Sequence, residues 1–221
     1  MTSLGLGRTA VTDAAKTQVE HPDEPSGLPV PKTERGRRTL RALLDAAALE
    51  FGANGFHATG ITDITRRAGV ALGSFYTYFA SKEDIFRALV TDLSAQVKMH
   101  VTPRVAEAPD ALSREKAALG GYLDFVSRQQ LIYRIIDEAE FVAPDAYQGH
   151  YRSTVARIAA RLEAGTGLGE LREGVGEVEA WAIAGMNVFL GLRYGVWGDN
   201  RELAEVVDRA HRLVADGIRK R

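Results

Sequence analysis

ITDITRRAGVALGSFYTYFASK, residues 61–82, decides how the rest of the chain is read. Its first part places Ile61, Ile64 and Ala68 at the i, i+3, i+7 spacing of one helix face. Gly69 then interrupts the pattern, because glycine takes the left-handed conformation that ends a helix tightly, and Val70 can plug the resulting turn. A second short helix over residues 72–79 would bury Phe75 and Phe79 at i, i+4 and leave Gly73, Ser74, Tyr76 and Thr77 outward. Two short helices around a glycine-containing turn outline a helix-turn-helix, whose second helix enters the major groove of DNA.

The flanks support that outline. Over residues 33–54, Leu40, Leu44, Ala47 and Phe51 fall on one helical stripe with Leu43 and Ala48 beside it, and Gly55 ends it. This first helix is expected to cover the inner side of the pair. Residues 56–60 connect the two, and Thr59 or Gly60 can cap the next helix so that its amides face a phosphate. His57 is a lone loop histidine with no ligand or catalytic partner in the pattern. Downstream, Ser81 followed by Glu83 and Asp84 reads as a cap with an acidic first turn. The helix it opens carries Ile85, Leu89, Leu93 and Val97 to about Val105. Residues 1–31, with prolines 22, 25, 29 and 31, read as a disordered N-terminal arm.

The residues Thr59, Ile64, Ala68, Gly69, Val70, Gly73, Phe75, Tyr76, Tyr78, Phe79 and Lys82 together resemble the DNA-binding signature of the tetracycline-repressor (TetR) family of bacterial regulators, over residues 37–89. That resemblance implies an all-α fold. Residues 32–82 would form a three-helix helix-turn-helix domain, and residues 83–221 a helical effector-binding and dimerisation domain. It places Leu72 and Gly73 where the family reaches base edges, with Ser74 and Thr77 as short polar contacts. Tyr76, Tyr78 and Lys82 stand at its phosphate positions and Thr62 where some members touch DNA; apart from the resemblance, the basic end of the arm, with Arg37 and Arg38, could track the DNA backbone or minor groove, or the arm could be a passive tail. The resemblance also implies a homodimer on a double-stranded palindromic operator and a small-molecule effector acting through the helix that starts after Ser81. No Arg or Asn lies in the reading helix, so bidentate base readout is missing there. Sequence preference would then rest on thymine methyls, hydroxyls or DNA shape.

Charge agrees once it is divided. The 221-residue chain has a formal net charge of −1, but residues 32–82 hold eight basic and four acidic side chains, leaving that segment at +4 and the remainder at −5. A basic module on an acidic body suits local phosphate binding. With 45% hydrophobic and 26% charged residues the composition is that of a globular protein. There is no cysteine, which excludes disulfides, thiolate metal sites and cysteine nucleophiles. No signal-peptide pattern opens the chain, and its most apolar stretch, residues 181–192, is too short to span a bilayer. A cytoplasmic protein without membrane attachment is expected.

Beyond Pro109 the pattern is helical throughout: residues 111–128, 131–142 (ended by Pro144), 145–164 (closed by Gly165), 177–197 and 202–219, with Asp199 and Asn200 breaking the last pair. Residues 177–197 are apolar nearly all round, so they need burial on most sides. Packing with residues 202–219 of two copies into a twofold four-helix interface would provide it, setting the reading helices one DNA turn, roughly 34–36 Å, apart. Tyr122, Phe125, Tyr133, Phe141, Tyr151, Met186 and Phe189 are candidates to line a cavity, with Asn187 and Arg193 as polar groups to orient a ligand. The segment YRIIDEAEFVAP is similar to one in family members that answer to fatty acyl or acyl-CoA effectors.

Enzyme chemistry finds no frame. The five histidines are scattered without HExxH spacing, no GxSxG or phosphate-binding glycine loop occurs, and Asp137, Glu138 and Glu140 read as a solvated helix face. No catalytic residue, metal or cofactor is expected. The competing class is a helical ligand-binding or scaffold protein without operator binding; duplex retention that falls steeply with salt separates the two.

Overall fold

The computed structural model describes residues 28–198 and 203–220. Residues 1–27 of the expected arm, and the break expected at Asp199 and Asn200, lie outside the described residues. Within them the chain is helical, with one isolated antiparallel bridge between Leu171 and Arg219.

Helix α1 (Glu34–Asn54) begins where Thr33 Oγ1 accepts the Gly36 amide at 3.1 Å and stops at Gly55, whose φ of +83° no side chain adopts comfortably. Helix α2 (Ile61–Ala68) is capped by Asp63, whose carboxylate accepts the Gly60 amide at 2.9 Å, and ends at Gly69 in the left-handed conformation expected of it. Helix α3 (Leu72–Phe75) is shorter than its apolar spacing predicts. After Phe75 the Thr77 and Tyr78 amides bond three residues back, to Ser74 O and Phe75 O, so the last turn tightens. Phe79 still lands on the inner side, because its own amide bonds Phe75 O at 3.0 Å.

Helix α4 (Lys82–Ala106) starts on the Ser81 hydroxyl, which accepts the Asp84 amide at 3.0 Å. Helices α5 (Ala111–Arg128) and α6 (Leu131–Val142) have the bounds the pattern predicts. Helix α7 (Pro144–Gly167) runs past the expected stop at Gly165. A Cβ on Gly165 would collide with Ala111 and come within 3.0 Å of Leu171, so this glycine serves close packing. The turn itself is made by Gly169 at φ +72°.

The long apolar helix expected over residues 177–197 is interrupted. Helix α8 (Glu177–Leu190) passes into a π-helical turn, Gly191–Val196, before α9 (Leu203–Ile218). Its cause is Tyr133 of α6. That hydroxyl donates to Val188 O at 2.6 Å, the carbonyl an α-helix would offer to residue 192, so a side chain enters the helical ladder and widens it. Gly191 makes room: a Cβ there would collide with the Tyr133 hydroxyl.

One core runs from the N-terminal helices into the body. Phe51, Phe75, Phe86 and Ile64 are fully buried and continuous with Leu89, Val126, Ile135 and Ile136. Phe51, Phe56 and Phe86 form an aromatic knot with centroids 5.1–5.6 Å apart. Separate smaller cores join α7 with α8 and α5 with α9. The buried Asp92 of α4 receives Arg41 of α1 at 2.8 Å, fixing the angle between these helices.

Candidate nucleic-acid interface and effector cavity

The helix-turn-helix shows solvent the face that the sequence assigns to DNA. Its inner side is sealed by Ile64, Phe75 and Phe79, while Leu72 is 45% and Tyr76 55% exposed. Thr62, Gly73 and Thr77 are exposed beside them, Ser74 is half-buried, and nothing stands within 4 Å of the place where Gly73 lacks a Cβ. Leu72 on α3 and Tyr76 just after it thus hold large apolar surface outward, Tyr76 meeting the buried Phe75 ring edge-on with centroids 5.4 Å apart. Arg37 and Arg38 are exposed at the start of α1, each within 4 Å of Glu34.

Three residues of the DNA-binding signature, Thr59 among them as a further candidate contact, use their polar atoms inside the protein. Thr59 is 2% exposed, and its hydroxyl donates to Gly55 O at 2.8 Å and Glu50 O at 3.1 Å, so it shapes the connection into α2. The Lys82 ammonium lies 4.3 Å from the Phe56 ring centre and donates to Phe56 O and Thr59 O at 2.8 and 3.0 Å. The half-buried Tyr78 donates its hydroxyl to Gly36 O at 3.2 Å. Arg67, counted among the basic residues, is likewise committed to the buried Glu50 at 2.6 Å and ties α2 to α1. Arg66, beside the turn, is more exposed and pairs with Asp63 on its own helix.

In the body, a cavity of about 330 Å³ lies between α4, α5, α7 and α8. Val97, Val101 and Val105, one stripe of α4, wall one side, and Tyr122, Tyr151, Ile158 and Val188 wall others. His150, Thr154, Arg157 and Arg161 enter from α7 and Asn187 from α8. Tyr122 donates to the Tyr133 hydroxyl at 2.7 Å, since the single proton of Tyr133 is committed to Val188 O. Burial pushes Tyr133 up to about 12 and Tyr122 well above the usual phenol range, so both stay neutral donors. His150 is held down to about 4 by burial and then by the Arg157 charge, and its Nδ1 meets Ser94 Oγ at 2.6 Å. On the far side of Tyr151, Ala184 and Val188 an open groove of about 520 Å³ carries Trp181 and Phe189.

Of the residues the sequence proposes for a ligand, Tyr122, Tyr151 and Asn187 line the cavity, Tyr133 lines a small pocket next to it, and Phe189 lines the groove. Four do not line either. Phe125 is buried in the core against His100, and Met186 packs on the α5–α9 cluster. Phe141 is 84% exposed, and Arg193 is an exposed residue over the Tyr194 ring. Phe141 and Arg193 fall on the solvent side of their helical turns.

Comparison with known proteins agrees with this geometry. The family model described as "Bacterial regulatory proteins, tetR family" matches residues 43–89, the stretch that holds α2, α3 and the start of α4. Residues 43–89 are therefore similar to the N-terminal segment of that family. An uncharacterized HTH-type transcriptional regulator, YdgC of Bacillus subtilis, is 44% identical over 29% of this chain and 33% of its own length. The HTH-type transcriptional activator FasR of Mycolicibacterium smegmatis is 30% identical over 52% of this chain and 54% of its own. The chain thus matches a third to about half of these two relatives. FadR from Bacillus subtilis, solved in complex with stearoyl-CoA, superposes with a TM-score of 0.71 at 19% identity, covering 80% of this chain and 98% of that one.

The cavity residues that lie outside the aromatic set are the polar ones on α7. His150, Thr154, Arg157 and Arg161 recur at i, i+4, i+7 and i+11, a polar stripe beside the apolar stripe of Tyr151, Val155, Ile158 and Leu162. That two-stripe pattern was the available signal. No helix among the described residues is long and apolar enough to cross a membrane.

Proposed function

We propose that this chain is a transcriptional repressor that binds a palindromic double-stranded operator as a homodimer and leaves it when a small, largely apolar effector fills the body. Residues 32–82 would act as reading head and residues 83–221 as effector and dimer body. The observation that carries the reading is the outward face of α3, where Leu72 and Tyr76 stand in solvent while Phe75 between them is fully buried. Leu72, Gly73 and Thr77, with Thr62 behind them, would meet base edges; Ser74, Tyr76 and the Arg37–Arg38 pair would meet the backbone. Lys82 and Tyr78 would act mainly by holding the connection and the end of α3.

The dimer reading draws support from the apolar side chains left in solvent: Val178, Trp181, Phe189 and Trp197 along α8 and its π turn, and Leu213 on α9. The effector reading draws support from the cavity, whose valine wall is α4, the helix that begins in the reading head. An acyl effector is compatible with those walls, and the structural neighbour FadR was solved with stearoyl-CoA. Selection of bound duplexes from a random pool tests the proposal. An enriched inverted repeat with half-sites one helical turn apart, and affinity that falls steeply with salt, is expected. Absence of enrichment together with salt-independent retention would overturn it in favour of a helical scaffold.

A further inference from the structure

The cavity contains more polarity than an apolar effector needs. Among the described residues, the Arg157 guanidinium bonds Thr154 Oγ1 at 3.1 Å and meets no carboxylate within ion-pair distance. Its neighbour Arg161 is different, being held at both ends by the buried Glu115, with one contact at 3.0 Å. Burial, and then the Arg161 charge, pull the Arg157 pKa down, the direction expected of a cation short of a counter-charge. Across the same cavity the Asn187 Oδ1 is buried without a hydrogen-bond partner. A buried amide oxygen left without a donor and a desolvated cation left without an anion each cost stability in an empty site. Each is relieved by a ligand of complementary chemistry.

We infer that the effector is an amphipathic monoanion, a free carboxylic acid whose carboxylate pairs with Arg157 and which carries a hydroxyl or N–H donor for Asn187, its carbon body lying on the valine wall of α4. This rests on the effector reading above and narrows it: ester, thioester and cationic relatives of the same acid lack the group that Arg157 selects. A cavity of about 330 Å³, at the small end for ligand sites, suits an acid of modest length with its head inside.

The test is calorimetric titration of the full chain with decanoic acid, 3-hydroxydecanoic acid, methyl decanoate, decylamine and decanoyl-CoA. The two acids are expected to bind about ten-fold or more tighter than the ester and the amine, the worth of one charge-assisted hydrogen bond, with the hydroxy acid the tighter of the two. Arg157→Gln should level acid and ester; Arg157→Lys should keep part of the difference. Asn187→Leu should remove the preference for the hydroxy acid and spare that for acid over ester. Equal binding of acid and ester, an acid preference that survives Arg157→Gln in a variant with native melting behaviour, or binding of decanoyl-CoA alone would each overturn the inference. None of these outcomes touches the operator selection, so failure here is distinguishable from failure of the regulator reading.

Discussion

Glu138 Oε2 accepts the Phe56 amide at 2.7 Å, joining residues 82 apart in sequence. One turn earlier on α6, Arg134 donates to Gly52 O and Ala53 O at 3.3 and 2.8 Å, capping the last carbonyls of α1. The residue before it, Tyr133, reaches the other way, into the ladder of α8 beside Tyr122 of the cavity wall. Helix α6 therefore grips the reading head on one side and the cavity and long apolar helix on the other. A shift of α6 cannot leave either partner unmoved.

Replacing Glu138 by Ala leaves the Phe56 amide without its charged acceptor, and is expected to cost about 1–3 kcal/mol. Urea unfolding of the full chain measures it. A loss below about 0.5 kcal/mol, the scatter of ordinary surface changes, would show that the bond does not fasten head to body.

Lys82 and Tyr76 should separate structure from contact. Lys82→Met removes two bonds to carbonyls and a cation held over Phe56, and is expected to lower stability by about 1–3 kcal/mol. Tyr76→Phe should leave stability within about 0.5 kcal/mol of the parent and weaken binding to every duplex alike. Leu72→Ala or Thr77→Val should instead change which sequences are preferred. Chemical unfolding combined with fluorescence anisotropy on random and selected duplexes reads all four; an unchanged preference in the last two would remove base contact from α3.

Gly191→Ala places a methyl group on the Tyr133 hydroxyl and should cost about 1–3 kcal/mol by overpacking. Combining it with Tyr133→Phe should cost less than the sum of the two single changes, because the second removes the colliding atom. A double-mutant cycle by thermal unfolding checks this, and strict additivity would mean that the π turn does not depend on Tyr133.

His150 should set an acid limb on stability. Burial, then Arg157, hold its folded pKa at about 4, below the unfolded value of about 6.5. The unfolded chain therefore binds the extra proton, and stability should fall as pH drops from about 6.5 toward about 4. Melting temperature against pH reads the slope. His150→Gln, which cannot take up that proton, should flatten it within this window, and an unchanged slope would assign the limb to other groups.

The sequence by itself determined the helix-turn-helix, its buried phenylalanines, the glycine stop at Gly69, the cap at Ser81, and the bounds of α5 and α6. Those features depend on residues close together in the chain, where periodicity, capping and left-handed glycine are local properties. Only the tertiary structure decided that Tyr78 and Lys82 turn their polar atoms inward, because their acceptors lie 23 to 42 residues away in the chain. It alone decided that Tyr133 breaks the long apolar helix, and that Phe141 and Arg193 stay outside while Arg157 enters the cavity. A helical pattern states which residues share a face; what that face meets depends on partners tens of residues away, and charge, burial and hydrogen bonding at a site follow from that meeting.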